Sequence, residues 1–198
     1  TITPLQLAQA TSILVNKGAV KTPHLLKATS QTLFVQNGEE NSVTVEAQPY
    51  EIDERPPIAL KDPTNWSVVL DAMHSTVQKV GATGYNAFKG HKYDAAGKTG
   101  SAQVASLAEN EKYDATTTQE KKRDNAMFIS FAPYDKPEIV VAVAIENVAK
   151  GGGATNAAPV ARQIMDQFFG NREITSIYTP EQHPMHNSTY SDKKQGNH

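Results

Sequence analysis

The spacing of apolar positions changes period several times along the chain. Thr3 and Pro4 open a stretch in which Leu7, Ala8, Thr11, Leu14 and Val15 recur at helical intervals, with Gly18 where a chain leaves a helix. This predicts a helix over 4–17. The period then shortens. Residues 20–26 and 33–35 read as short strands, and Ser42-Val43-Thr44-Val45-Glu46 alternates polar and apolar as a half-buried strand does. Pro56-Pro57 stops whatever precedes it. Asp62-Pro63-Thr64 opens a second helix, in which Trp66, Val69, Leu70, Met73, Val77 and Val80 step by three and four; Trp66 and Met73 are expected in the core. Gly81 to Gly84 ends this helix, and 81–97 reads as glycine-rich and irregular.

Alternation returns over 98–105. Residues 105–124 form a long charged segment that includes Glu120-Lys121-Lys122-Arg123-Asp124 and reads as a solvated loop. Two apolar runs, 126–132 and 138–145, are joined by Pro133-Tyr134-Asp135-Lys136-Pro137, the spacing of an antiparallel hairpin. After Gly151-Gly152-Gly153, Asn156 is placed to cap a third helix, with Ala157, Val160, Ala161, Ile164 and Phe168 on one face and Gly170 at its end. Residues 171–198 are polar and rich in Pro, His and Asn, and read as a flexible tail. Hairpin-linked strands among helices predict an α+β fold, an antiparallel sheet flanked by helices, rather than a doubly wound one. The expected division is a folded part over 1–170 and the tail over 171–198.

Composition narrows the function. The 198 residues carry 19 basic and 21 acidic side chains, net −2, so no basic field exists to hold nucleic acid or anionic lipid. The absence of cysteine excludes a disulfide scaffold and a Cys-based zinc site. No run of about 18 apolar residues is available to span a bilayer. The chain starts at Thr1, without an initiator Met or signal peptide and just ahead of a helix start, which is expected of a fragment of a longer protein.

The segment with most chemistry is Gly97-Lys98-Thr99-Gly100-Ser101. A phosphate-binding loop would need a glycine five positions before Gly97, where Lys92 stands, and a helix beginning at Lys98-Thr99; instead Ser101-Ala102-Gln103-Val104 continues as a strand. On a strand, Thr99 and Ser101 share a face and can hydrogen-bond a carboxylate. Lys98 supplies a nearby positive charge. Gly100 lets a substrate backbone approach, and an extended peptide can add to the edge as a further strand.

Lys98-Thr99-Gly100-Ser101-Ala102-Gln103-Val104 resembles the Lys-Thr/Ser-Gly-Thr/Ser-Ala-Gln-Val stretch of the class B penicillin-binding proteins. Thr3-Pro4-Leu5-Gln6-Leu7-Ala8 is similar to the family's helix start before that strand. The stretch from Phe131 through Pro133-Tyr134-Asp135-Lys136-Pro137 to Val143, with Glu146-Asn147, resembles the hairpin after it, most of all in elongation-type members. The resemblance covers 1–169 in the expected order. It implies the penicillin-binding transpeptidase / serine β-lactamase-like fold, here as a partial domain.

The implied activity is cross-linking of peptidoglycan: a serine attacks the penultimate D-Ala carbonyl of a stem peptide, D-Ala leaves, and an amine of a neighbouring stem resolves the acyl-enzyme. Lys98 would hydrogen-bond the serine of a Ser-x-Asn motif and help relay the proton. Thr99, Gly100 and Ser101 would bind the substrate or β-lactam, and the Ser101 backbone N–H would form half of the oxyanion hole. Ser-x-Asn does not occur, and the one Ser-x-x-Lys, Ser191-Asp192-Lys193-Lys194, lies in the tail, where a nucleophile is not expected. The nucleophile is expected upstream of Thr1. Implied partners are stem peptides, β-lactams, elongation-complex membrane proteins and a glycosyltransferase, with a membrane anchor outside this chain and the domain at the periplasmic face of the bacterial inner membrane. No nucleic acid, cofactor or metal is expected. The alternatives are a non-catalytic binding domain for stem peptides or elongation-complex partners, and a serine β-lactamase or sensor domain.

Weaker candidates complete the reading. His183 and His186 have metal-ligand spacing but no evident third ligand. His91 and the segment 86–92 could border a cleft, with a surface loop the simpler expectation. Gly151 to Gly153 before a helix could bind an anion, or simply give the chain room to turn.

Overall fold

Thr3 and Gln6 start the first helix by reciprocal capping: the Thr3 hydroxyl accepts the Gln6 N–H at 3.2 Å and Gln6 Oε1 accepts the Thr3 N–H at 2.9 Å. In the computed structural model, which describes residues 2–29, 32–36, 40–44, 48–52, 55–104, 114 and 118–170, this helix is α1, Pro4–Val15. It ends two residues short of the predicted boundary. Lys17 (φ 50°) takes the left-handed position expected of Gly18, and the Lys17 and Gly18 N–H groups return to Leu14 and Ile13 carbonyls. Gly18 (φ 99°) answers to a different constraint: a Cβ there would lie 2.1 Å from the Ile58 carbonyl oxygen, and the Ile58 N–H donates to Gly18 O at 2.8 Å.

The chain forms two structural units, 1–70 and 71–198. In the first, β1 (Ala28–Thr29) pairs antiparallel with β4 (Gln48–Pro49), and β2 (Thr32–Gln36) with β3 (Glu40–Thr44). The strand expected over 20–26 is irregular instead: Pro23 has no N–H to give a ladder, and Leu25 stands fully exposed.

Helix α2 (Thr64–Gln78) begins where Asp62 accepts both the N–H and the hydroxyl of Thr64, at 2.9 and 2.7 Å; these bonds hold the Asp62 carboxyl below its ordinary pKa. Its buried stripe is Leu70, Met73, His74, Val77 and Gln78, with Trp66 half-buried, while Val69 and Val80 of the expected stripe are exposed. The stretch predicted as irregular contains a short helix, α3 (Tyr85–Phe88).

The second unit is built on an antiparallel sheet of order β5-β6-β7: β5 (Ala96–Ala102), β6 (Asn125–Ala132) and β7 (Ile139–Ile145). Its register pairs Thr99 with Phe128 and Phe128 with Val143, so the predicted hairpin is present. Phe128, Ala132, Val141 and Val143 share one face and pack with Val77, Phe88, Tyr93 and the residues Ala157, Ala158, Ala161, Met165 and Phe169.

Gly153–Ala157 form a π-turn that leads into α4, Ala158–Gly170. Asn156 does not cap this helix: it sits inside the π-turn, and its side-chain amide donates to Lys150 O and Gly152 O. The inward face is also rotated from the expected one. Val160 and Ile164 are exposed, and the small Ala158 with Met165 and Phe169 turns inward. A π-turn carries an extra residue, which shifts the phase of the helix behind it. Residues 105–113, 115–117 and 171–198, which hold most of the expected charged loop and all of the expected tail, lie outside the described residues.

Gly153 seats the π-turn on the sheet. A Cβ there would stand 2.0 Å from Met127 O, 2.9 Å from Gly100 O and 3.0 Å from Gly100 N, all backbone atoms with no freedom to yield. Gly153→Ala is expected to cost about 2–3 kcal/mol and to lower the thermal midpoint by about 5–10 °C. Gly170→Ala, where a Cβ meets nothing within 4 Å, should leave it unchanged. Calorimetry on the two variants checks both.

Candidate active-site strand

Lys98, Thr99, Gly100 and Ser101 stand in succession on β5, the edge strand of the three-stranded sheet; among the described residues β6 is its only strand neighbour. The side chains alternate, so Thr99 and Ser101 share a face with Phe128 and Ala126, while Lys98 and Gly100 share the other with Ile129 and Met127. Lys98 and Ser101 are exposed and Thr99 half-exposed. Lys98 Nζ donates to Thr99 O at 2.8 Å, and the Thr99 hydroxyl donates to the Thr83 hydroxyl at 3.2 Å.

The glycines in and around the strand divide into two kinds. A Cβ on Gly97 would lie 2.6 Å from Phe128 Cζ and 2.8 Å from Ile129 O, so packing alone demands glycine there. A Cβ on Gly100 would meet Met127 Cβ at 3.5 Å, an ordinary contact, so packing does not demand it. Gly152 faces Ser101: a Cβ there would come within 3.2 Å of Ser101 Oγ. Gly152 and Gly153 therefore serve the close approach of the π-turn to the sheet, whereas Gly151 (φ 78°) takes the left-handed position that leads into it.

A buried polar network fixes the lead-in to β5. Gln78 Nε2 lies within hydrogen-bond reach of Ala95 O (2.9 Å), Asp94 Oδ1 (3.0 Å) and His91 Nε2 (3.1 Å), its two protons shared among the three, while His74 Nε2 lies 2.7 Å from Asp94 Oδ1. The Tyr134 N–H donates to Asp94 O at 2.8 Å, its ring lies 4.4 Å from that of His74, and its hydroxyl donates to Asp71. Burial and the Asp71 carboxylate push the Tyr134 phenol well above its ordinary pKa. His74 and Gln78 went unremarked in the sequence, although they sit four apart beside Met73 and Val77 on the apolar stripe of α2.

His91 belongs to this network and not to a surface loop. Its Nδ1 donates to Phe88 O, which leaves Nε2 to accept from Gln78. The segment 86–92 is tied to α4 by Arg162 Nη1, which donates to Ala87 O (3.4 Å) and Lys89 O (3.2 Å). Arg162 also pairs with Asp166 at 2.7 Å, and Asp166 accepts the Tyr93 hydroxyl at 2.8 Å; burial raises the Tyr93 phenol. Among the described residues no group of three His, Cys, Asp or Glu side chains is arranged to hold a metal, and no helix is long and apolar enough to cross a membrane. His183, His186 and Ser191 lie outside the described residues.

Residues 1–166 match the model of the penicillin binding protein transpeptidase domain, and the chain belongs to that family. Within the family it is similar to the peptidoglycan D,D-transpeptidase MrdA of Haemophilus influenzae, at 42% identity over 173 residues, 87% of this chain and 24% of the relative. The crystal structure of Pseudomonas aeruginosa PBP2 in complex with WCK 5153 superposes with a TM-score of 0.63 at 33% identity, covering 90% of this chain and 32% of that one. The PBP2 of a Helicobacter pylori PBP2–MreC complex shares the fold, with a TM-score of 0.57 at 20% identity over 85% of this chain and 25% of that one. The chain spans about a quarter of the length of the curated relative.

The His91 network has a pH signature. Burial is the main influence and lowers the His91 pKa below its ordinary 6.5, with the Arg162 charge acting in the same direction and the Phe88 bond, Asp94 and Asp166 against it. The folded state thus favours neutral His91. Its contribution is fully present above pH 6.5 and is lost as the pH falls through that value toward the depressed one, because the unfolded chain takes the proton first. Thermal midpoints at pH 7.5 and pH 5 should fall further for the wild type than for His91→Gln, which keeps a donor and an acceptor.

Proposed function

We propose that this chain is the C-terminal part of the transpeptidase domain, over 1–170, of an elongation-type penicillin-binding protein, with 171–198 as its tail. In the full-length protein it would cross-link peptidoglycan stem peptides through a serine acyl-enzyme and be acylated by β-lactams. The nucleophilic serine and the Ser-x-Asn motif are supplied by a segment outside these residues. The observation that carries the reading is β5: a Lys-Thr-Gly-Ser sequence on a sheet edge, with Gly100 not required by packing and two hydroxyls on one face.

The stem peptide lies along the β5 edge as an added strand. Thr99 and Ser101 hydroxyls hold its terminal carboxylate, which must be fixed before the neighbouring carbonyl can be attacked at a defined angle. The Ser101 N–H and the N–H of the nucleophile receive the oxyanion of the tetrahedral intermediate. Lys98 leaves its resting bond with Thr99 O to reach the Ser-x-Asn serine, where its charge favours proton relay to the departing D-Ala amine. Gly100 leaves the substrate backbone room. Partners on this reading are elongation-complex membrane proteins and a glycosyltransferase, with the domain at the periplasmic face of the inner membrane. The likeness to MrdA supports the elongation type.

Labelling of the full-length protein with fluorescent penicillin, followed by peptide mass mapping, should place one covalent label on a serine upstream of Thr1; absence of label would end the transpeptidase reading. Lys98→Ala should slow acylation by about 10²-fold or more with an unchanged thermal midpoint, and an unchanged acylation rate would remove the role given to Lys98.

A further inference from the structure

Gly81-Ala82-Thr83-Gly84 joins α2 to α3, and one of its side chains touches the substrate strand. Thr83 Oγ1 lies 3.2 Å from Thr99 Oγ1, a pairing that spans 16 positions of sequence. Both residues belong to the second unit. Thr83 is exposed and Thr99 half-exposed, so burial does not force the two hydroxyls together.

The backbone holds Thr83 in place from both sides. The Ala82 N–H donates to Lys79 O at 3.0 Å and the Gly84 N–H to Thr76 O at 2.9 Å, which fastens the turn to the end of α2. The Tyr85 N–H donates to Ala82 O at 3.2 Å and closes it. Gly84 is buried, and a Cβ there would lie 3.0 Å from Thr76 O, so the turn comes this near only with glycine at 84. The same helix carries His74 and Gln78, whose contacts with Asp94 and Ala95 fix the lead-in to β5. One helix thus sets both the strand and the hydroxyl that meets it.

Proton accounting gives this pairing a consequence. A threonine hydroxyl has one proton to give and two lone pairs to accept with. At rest Thr99 gives its proton to Thr83. A carboxylate accepts only, so Thr99 must turn that proton outward to hold one. Thr83 can then turn its own proton to the Thr99 oxygen and keep the pairing intact. The result is a chain from the Thr83 hydroxyl through the Thr99 hydroxyl to the carboxylate. Each bond polarises the next, and the last is charge-assisted. No covalent bond changes; only the two hydroxyls rotate.

The geometry points to Thr83 as a positioning residue for carboxylate recognition: it orients the Thr99 hydroxyl and strengthens its bond to the substrate without touching the substrate itself. This rests on the reading of β5 as the edge that holds the carboxylate of a stem peptide or β-lactam.

The test compares acylation of the full-length protein by benzylpenicillin and by its methyl ester, followed by intact-protein mass spectrometry. The ester lacks the carboxylate that Thr99 would hold. Thr83→Val should slow acylation by the acid about fivefold and leave the ester's rate and the thermal midpoint unchanged. Thr83→Ala, with no bulk to misplace, should match it, and Thr83→Ser should restore the wild-type rate. In a Thr99→Val background, Thr83→Val should cost nothing further. An undiminished rate with the acid, equal losses for acid and ester in both the Val and Ala variants, or additive effects of Thr83→Val and Thr99→Val overturns the inference alone. If the wild type takes no penicillin at all, the reading of β5 falls and this inference with it.

Discussion

Backbone against backbone is the contact from which the second unit is organised. Gly153 rests on the carbonyl of Met127 and the peptide of Gly100, where two strands are already paired, and no side chain intervenes. That approach sets the height of the π-turn above the sheet. The height decides which residues of α4 point inward, and the answer is a file of alanines with Met165 and Phe169. Larger residues would hold the helix off the sheet and open voids beside Phe128, with the loss of dispersion that voids entail. The polar network at Asp94 acts at the other end of β5. Strand position is thus fixed at its lead-in by hydrogen bonds and further along by close packing.

Glycine has opposite meanings at neighbouring positions of this strand. Gly97 and Gly153 are required by the protein's own packing, and their conformational cost is offset by the contacts they allow. Gly100 is not so required. Glycine's entropic cost at this position is not offset by a packing contact among the described residues. This contrast, and not the Lys-Thr-Gly triplet by itself, sets the strand apart from an ordinary edge.

Much of this was legible in the chain. The helix starts at Thr3 and Asp62, the hairpin around Pro133 to Pro137 and the strand at Lys98 all follow from local rules, in which a cap or a turn is chosen by residues a few positions apart. The misreadings share one cause, competition between a local pattern and a distant partner. Val160 and Ile164 fit a helical face as well as Ala158 and Met165 do, and only the sheet surface decides between them. Asn156 is a good cap in isolation, yet the glycine turn drew it into a π-turn, where its amide serves Lys150 and Gly152. His74 and Gln78 looked unremarkable because their partners, Asp94 and Ala95, are 16 to 20 positions away. In the first unit, Asn37-Gly38 between two alternating runs was a usable hairpin signal, and β2 and β3 do pair.

Among the described residues β5 is an edge strand, and an edge has a cost of its own. A strand with unpaired backbone groups will accept any extended segment, including the same strand of another molecule. A protein with such an edge must refuse its own copies. Charged side chains, lysine above all, blunt such edges, and Lys98 stands exposed on this one. An exposed lysine on an edge strand thus bears on solubility whatever else lies along that strand.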